Sequence, residues 1–505
     1  MRMRNGAWLR GALLAGAIAT NLAAPARADT PPAALEASLR AWLAGVLGPR
    51  ADLGDRPVRF TARDGGGYAV EVPLAGPVGS TGITIEAPPI TLTAQPQPDG
   101  RWALDAIRLP SPLQIHVPAS APGGAEEWTL RLADQDQHAL FDPTLAAEST
   151  WDGTVGGYSS GFRSKTETRR TEVARITTHA RWQPARDGRI DVRSDSTSEL
   201  LATNARLKNG IVASFSAAEA NVTARIDAVR PAALPPILRA ALEVGPLAVT
   251  AARDPVAATG HAMVHHDNLG ATLPPEARAT VRVALEAAAD LLDGFTEEAV
   301  FKNVRWHAGK LDGTAHAVAA RIALAAPDGR IALHLRLAVD GAASNTVPPG
   351  PLRDLLPRHI AIAPHIGGVP AAKLHALLAA ALQDGASDAA LEAQGEALLS
   401  DGPLTIGIDE LAADAGPAQL QGKGEVRVIA AEDVAGEARI RATGLEALIR
   451  LAGQVPELKA ALPVLFFLKG IGEPDGDATV WNLEYRNGKF LVNGTDFSKM
   501  MPGQK

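Results

Sequence analysis

The chain has 505 residues, a formal charge of −7 and no cysteine. Without thiols it has no disulfide framework, no thiolate nucleophile and no cysteine-built zinc or iron–sulfur site, and an acidic balance argues against a nucleic-acid partner, which needs a basic surplus. Aromatic residues make up 4%, too few for a carbohydrate binder that works by ring stacking.

The first element is a leader. Arg2, Arg4 and Arg10 form a positive start, Gly11 to Ala24 an apolar run, and Ala26-Arg27-Ala28 a small-x-small cleavage signal before Asp29, the pattern of a secretory signal peptide over residues 1–28. The apolar run holds 14 residues, against about 20 for a spanning helix. Export to the periplasm with cleavage is therefore expected, and retention as an anchor is the alternative.

Residues 29–243 are expected to form an N-terminal helix followed by an antiparallel β meander. The helix carries Leu35, Leu39, Trp42, Leu43, Val46 and Leu47 on one stripe,. Beyond it, apolar and polar residues alternate between turn signals, as half-buried strands do. Val58 to Val72 reads as a hairpin around Asp64 to Gly67, and further turns fall at Asp99-Gly100, Asp187-Gly188, Asn209-Gly210, Asp328-Gly329 and Asn487-Gly488. Each supplies the positive φ that a tight hairpin demands.

Gly157 to Gly161 spells GYSSG, with Ser159 in the place of a hydrolase nucleophile. That motif works only at a sharp strand-to-helix elbow, and a basic strand-like segment follows it, so a Gly/Ser-rich loop is the expectation. A secreted serine hydrolase using Ser159 with His179 or His138 stays as the alternative function. Phe162 to Trp182 has no Gly or Pro and reads as one very long strand, about 60 Å if fully extended. Between Arg163 and Arg189 there are eight basic residues against three acids. Arg163, Lys165, Arg169, Arg175 and Arg181 fall on its odd-numbered face, a surface for anionic headgroups or a solvated sheet face.

Residues 244–400 are expected to hold a helix-on-sheet unit with connecting helices, and residues 401–505 a second such unit. Apolar stripes predict helices over Pro274 to Leu292 and Pro370 to Leu382. His261, His265 and Asp267, and separately His359 and His365, are too loosely spaced for the three or four ligands zinc requires, and Pro364 interrupts the second group. No metal site and no cofactor are expected. Thr443 and Glu446 suggest a capping box opening a helix with Leu445, Leu448 and Ile449. It leads into ALPVLFFLKGI, Ala461 to Ile471, which is too short to cross a membrane. Packing as core against the final hairpin is expected. The alternative is an apolar groove for an acyl chain, lined by Leu462, Leu465, Phe466 and Phe467.

Asn303 to Leu311, NVRWHAGKL, matches Asn482 to Phe490, NLEYRNGKF, position by position, and GPLAV at Gly245 echoes GPLTI at Gly402. A helix falls between the markers each time, which suggests an internal duplication. The fold class is α+β and β-rich: elongated, curved antiparallel sheets with amphipathic helices packed on one face.

The order of AGEARIRATGLEALIRLAG, a Leu-rich helix and the closing ATVWNLEYRNGKFLVNG resembles the last part of an uncharacterised family of alphaproteobacterial envelope proteins, more distantly similar to YdgA-like and AsmA-like proteins. The resemblance implies a periplasmic, β-rich protein and carries no catalytic residue. The expected function is thus a non-enzymatic envelope protein that binds lipid or another apolar ligand, with peripheral membrane contact. A purely structural or interaction scaffold is the further alternative, and lipid or envelope components are the expected partners.

Overall fold

A computed structural model describes residues 58–498, apart from residues 65, 79–81, 119–124, 143–146, 241–274, 290, 348–349, 351–352, 354, 384–386 and 431–432. The leader, the helix expected at Leu35 to Leu47, the His261 to Asp267 cluster and the GPLAV marker lie outside the described residues. The protein is β-rich, and every strand pairing described is antiparallel. The chain divides into two compact units, residues 1–295 with 375–391 and residues 296–374 with 392–505.

The first unit begins with short strands: β1 (Arg59–Ala62), β2 (Tyr68–Val72), β3 (Gly76–Val78), β4 (Ile83–Glu86), β5 (Ile90–Pro96), β6 (Trp102–Arg108), β7 (Leu113–Val117), β8 (Glu126–Arg131) and β9 (Asp134–Asp142). Four long ones follow: β10 (Ala147–Arg163), β11 (Glu167–Pro184), β12 (Ile190–Leu207) and β13 (Val212–Val229). The sheet branches at β10. Its first half pairs with β9 and its last residues with β8. One branch continues through β6, β5, β2 and β1, the other through β7, β4 and β3. The two branches share one core, in which Val70, Ile90 and Trp102 of the first meet Ile83, Leu113 and Val117 of the second.

The long strands bury opposite faces at their two ends. In β12 the even positions Ile190 and Ser198 are buried, then Leu200 adopts a left-handed φ of 51° and Leu201 is buried instead. The neighbouring strands change sides on the same row: β11 buries Thr171 and Val173 at one end but Ala180 and Trp182 at the other. Gly157 of β10, with φ 58°, completes that row, and a Cβ there would stand 2.8 Å from the Ala133 side chain.

The turn chemistry read from sequence is present. Asp187-Gly188, Asp328-Gly329 and Asn487-Gly488 all carry paired positive φ values, as tight hairpin turns require. Three expectations are corrected. Phe162 to Trp182 is not one strand, because Ser164 to Thr166 turn the chain between β10 and β11. The Ser164 hydroxyl accepts the backbone N–H groups of Thr166 and Glu167 at 3.2 Å each, doing what Gly or Pro does elsewhere. GYSSG is not a loop: ladder pairing on both edges of β10 outweighs the weak strand preference of Gly and Ser. Thr443 is not a helix cap, since Gly444 occupies that position with φ 69° and no side-chain cap bond forms.

In the chain segment leading to the second unit, helix α1 (Pro275–Ala288) precedes β14 (Gly294–Ala308). Then come β15 (Leu311–Ala325), β16 (Arg330–Asp340), β17 (Ala343–Ser344), β18 (Pro357–Pro370), helices α2 (Ala371–Ala381) and α3 (Asp388–Ala397), β19 (Leu404–Ala415), β20 (Ala418–Ala430) and β21 (Asp433–Thr443). Helices α4 (Leu445–Gln454) and α5 (Leu462–Ile471) lead to β22 (Glu473–Asp475), β23 (Ala478–Arg486), β24 (Lys489–Val492) and β25 (Thr495–Asp496). Within this unit the ladder runs β15, β16, β18, β19, β20, β21, β23, β24. The second motif forms the β23–β24 hairpin, turning at Asn487-Gly488, and the first passes from β14 to β15 through Gly309 at a positive φ; a helix precedes each.

At the C-terminal end α4 and α5 lie on the sheet. Leu448 and Ile449 of α4, and Leu465 and Ile471 of α5, pack with Ile440, Leu483 and the buried Leu445, Trp481 and Val492. Asn493 fastens the corner: its Nδ2 donates to the carbonyls of Ile471 and Val480 at 3.0 and 3.2 Å, and its Oδ1 accepts the Asn482 N–H at 2.7 Å. Among the described residues no helix is long and apolar enough to cross a membrane.

Candidate functional site

The two faces of the second unit's sheet differ sharply in chemistry. On one face, cross-strand partners form aliphatic rows: Leu333, Ile366, Ile406 and Val426 in one, Leu337, Ile362, Leu411, Gly422 and Ile440 in the next. Residues on opposite faces alternate along each strand, so His334, His365 and Glu425 project from the other side. In an ordinary one-sided sheet the aliphatic face is the covered one. Here it is open: Leu335, Leu337, Ile360, Ile366, Ile406 and Val426 are 38–52% exposed, while Ala338, Ala361 and Ala363 on the other side are buried.

The aliphatic floor runs beneath the helices. A Cβ at Gly422 would rest 3.5 Å from Leu411 and 3.6 Å from Ile440, and Ile440 is where α4 and α5 begin to cover the sheet. The arrangement is an apolar sheet face, half exposed over β16 to β20 and covered by α4 and α5 at β21 and β23. Burying a Leu or Ile side chain fully is favourable by about 1.5–3 kcal/mol, so each half-exposed one forgoes roughly 1 kcal/mol. A contiguous patch of this kind marks a binding surface.

The residues singled out from sequence on α5 divide between two roles. Leu465 joins the core and Leu462 is half-buried, whereas Phe466 and Phe467 are 57% and 45% exposed, next to exposed Val464 and Leu468. The greasy run is therefore not core as a whole. A ten-residue helix lying on a sheet has one inward stripe, and this sequence is apolar on every side. Phe467 meets Phe497 edge-to-face at 6.4 Å.

The five cations expected on one strand face do not share one, because the turn at Ser164 to Thr166 intervenes. Arg163 ends β10, Lys165 is in the turn, and Arg169, Arg175 and Arg181 are in β11. Arg163, Arg169, Arg170 and Arg206 line a shallow cleft of about 360 Å³ with Phe162 and Val212. Arg169 lies 5.5 Å over the Phe162 ring. Carboxylates are close: Glu127 is 3.8 Å from Arg163, Glu167 3.9 Å from Arg169 and Glu199 3.9 Å from Arg175.

Ser159 lies inside β10, paired with Glu172 on one side and Arg131 on the other. His179 pairs with Asp152, seven residues down the strand, and His138 is Asp152's partner on the other edge. Seven strand residues span roughly 23 Å, so neither imidazole reaches the hydroxyl. These histidines belong instead to a polar row: His179 Nδ1 is 2.6 Å from Asp152, and His138 is 2.9 Å from Asp105 and 3.0 Å from Asp136. The hydrogen bond to Asp105, then that to Asp136 and the charges of both, holds the His138 imidazole above its ordinary pKa. The stabilisation from this pair is fully present below about pH 6.5 and is lost as pH rises through the elevated folded value. An NMR titration of the ring is expected to place its midpoint above the ordinary value, and Asp105→Asn to bring it back down.

No family model, no curated protein and no solved structure matches the chain.

Proposed function

We propose that this is a non-enzymatic protein of the bacterial cell envelope that binds the acyl chains of lipid along the open aliphatic face of its second unit. One observation carries the reading: six large aliphatic side chains on β16 to β20 stay about half exposed on a single sheet face that leads under α4 and α5. An extended acyl chain is the ligand whose chemistry suits such a face, because it needs apolar contact along its length and no hydrogen bonds. Phe466 and Phe467 of α5 are a further pair of exposed apolar side chains in the same unit. The signal-peptide pattern of residues 1–28 agrees with an exported chain, as does the resemblance to AsmA-like envelope proteins.

The purified chain is expected to enhance N-phenylnaphthylamine fluorescence, and phospholipid to compete for the site. Ile366→Asp combined with Ile406→Asp is expected to weaken probe binding roughly 30-fold, the equivalent of about 2 kcal/mol of lost apolar contact. Native mass spectrometry of chain extracted from membranes is expected to show bound lipid on the wild type and not on the double variant. Probe binding that is absent in the wild type, or equal in both, would sink the reading.

A further inference from the structure

On the opposite face of that sheet, His334 of β16, His365 of β18 and Asp409 of β19 converge, with ligand atoms within 4.8 Å of one another. His334 Nδ1 lies 3.1 Å from Asp409 Oδ2, and His365 Nδ1 lies 2.8 Å from Asp409 Oδ1. The two imidazole rings are 5.4 Å apart and tilted by 31°. From these contacts we infer that the second unit binds a divalent first-row transition metal, with zinc as the probe, through the two imidazoles and the carboxylate.

Three features of the fold build this cluster. His334 and His365 are direct cross-strand partners. Asp409 sits at a β-bulge: Pro364 pairs with Ile408 and Ala363 with Glu410, which leaves Asp409 as the extra residue. A bulge re-aims one side chain out of the ordinary alternation, and here it turns the carboxylate toward both rings. Gly407 lies opposite His365, and a Cβ there would stand 2.5 Å from the ring's Cε1. The glycine thus leaves the room in which the ring lies.

The donor geometry also bears on a cation. The Nδ1 of His365 is sealed from solvent and, although 2.8 Å from Asp409 Oδ1, makes no hydrogen bond with it. A buried polar atom with no hydrogen bond is costly, and an ion between the two atoms would satisfy both. Ligands bonded to one zinc at about 2.0–2.1 Å stand roughly 3 Å apart, near the two histidine–carboxylate separations, and the three ligand atoms all lie within 4.8 Å. His365 Nε2 points the other way and lies 3.8 Å from Glu425 Oε2, the place of the carboxylate that fixes the orientation of a metal-bound imidazole. Two histidines and one carboxylate leave coordination positions open to water or an anionic ligand.

Isothermal titration of the chelator-treated full chain with Zn²⁺ is expected to show a single saturable site at neutral pH. His334→Ala and Asp409→Asn, both at exposed positions, are each expected to weaken it tenfold or more, and Gly407→Ala to do so by displacing the His365 ring. Glu425→Gln is expected to weaken it roughly tenfold. His359→Ala is expected to change nothing, since that ring is paired with Asp340 on the same sheet. No saturable binding, or binding indifferent to His334→Ala and Asp409→Asn, would show an imidazole–carboxylate network only and overturn the assignment. Acyl-chain binding on the other face is read independently by the fluorescent probe.

Discussion

Trp481→Ala is expected to cost about 3–5 kcal/mol of the second unit's stability, the usual range for emptying a buried tryptophan site. Trp481 is 7% exposed and lies at the centre of the cluster that α4 and α5 press against β21 and β23. Its indole N–H also donates to the Leu468 carbonyl at 2.9 Å, tying the last turn of α5 to the sheet. Removing the ring takes away both the packing surface and the tether, so hydrogen-exchange protection in α4 and α5 is expected to fall with the denaturation midpoint. Trp481→Phe, which keeps most of the apolar bulk, is expected to be clearly milder. A loss below about 1 kcal/mol for the alanine variant would mean that the helices are held by something other than this contact.

Gly444→Ala is expected to be the most damaging glycine substitution among the described residues of the chain's second half. Gly444 begins α4 with φ 69°, and a Cβ would lie 1.8 Å from the Pro417 carbonyl oxygen. The left-handed backbone alone costs a non-glycine residue about 1–2 kcal/mol, and the clash is with backbone, which cannot swing aside. The sum is about 3 kcal/mol or more, measured as the shift in thermal or urea unfolding. Gly453 provides the contrast. It lies within α4 at an ordinary helical φ, and a Cβ there would meet nothing within 4 Å. Gly453→Ala is therefore expected to stabilise by roughly 0.5–1 kcal/mol. Two glycines nine residues apart should thus move stability in opposite directions, and equal effects would refute the argument from space and φ.

Much of the fold was legible in the sequence where the signal is local. Asp-Gly and Asn-Gly pairs marked hairpins because their residues tolerate positive φ,, and alternation marked strands. Where a side chain substituted for that chemistry, the turn was invisible: Ser164 bends the chain by accepting two backbone N–H groups, and nothing in FRSKTETRR announces it. GYSSG was misread for the converse reason, since its strand state is imposed by neighbours on both edges. Thr443 and Glu446 had the spacing of a capping box, yet the left-handed Gly444 took the cap position.

The candidate sites show the same division. The apolar character of α5 was plain, but which of its side chains point inward was not, because a helix apolar all round has no polar face to orient it. The aliphatic face is made of residues drawn from β16, β18, β19 and β20, each contributing a short alternating run. His334, His365 and Asp409 are separated by 31 and 44 positions, so the pairing missed from sequence was of His365 with a residue on another strand, not with His359 nearby.

What the sequence determined by itself was the β-rich antiparallel class, the placing of most hairpins and the helices over α1, α2, α4 and α5, all of which follow from interactions within a few residues. Tertiary structure alone decided which sheet face stayed open, that a bulge would turn Asp409 toward two imidazoles, and that most of the greasiest run would lie uncovered. The physical reason is register: a one-residue difference in pairing sends every side chain of a strand to the other face, and register is set by strands far away along the chain.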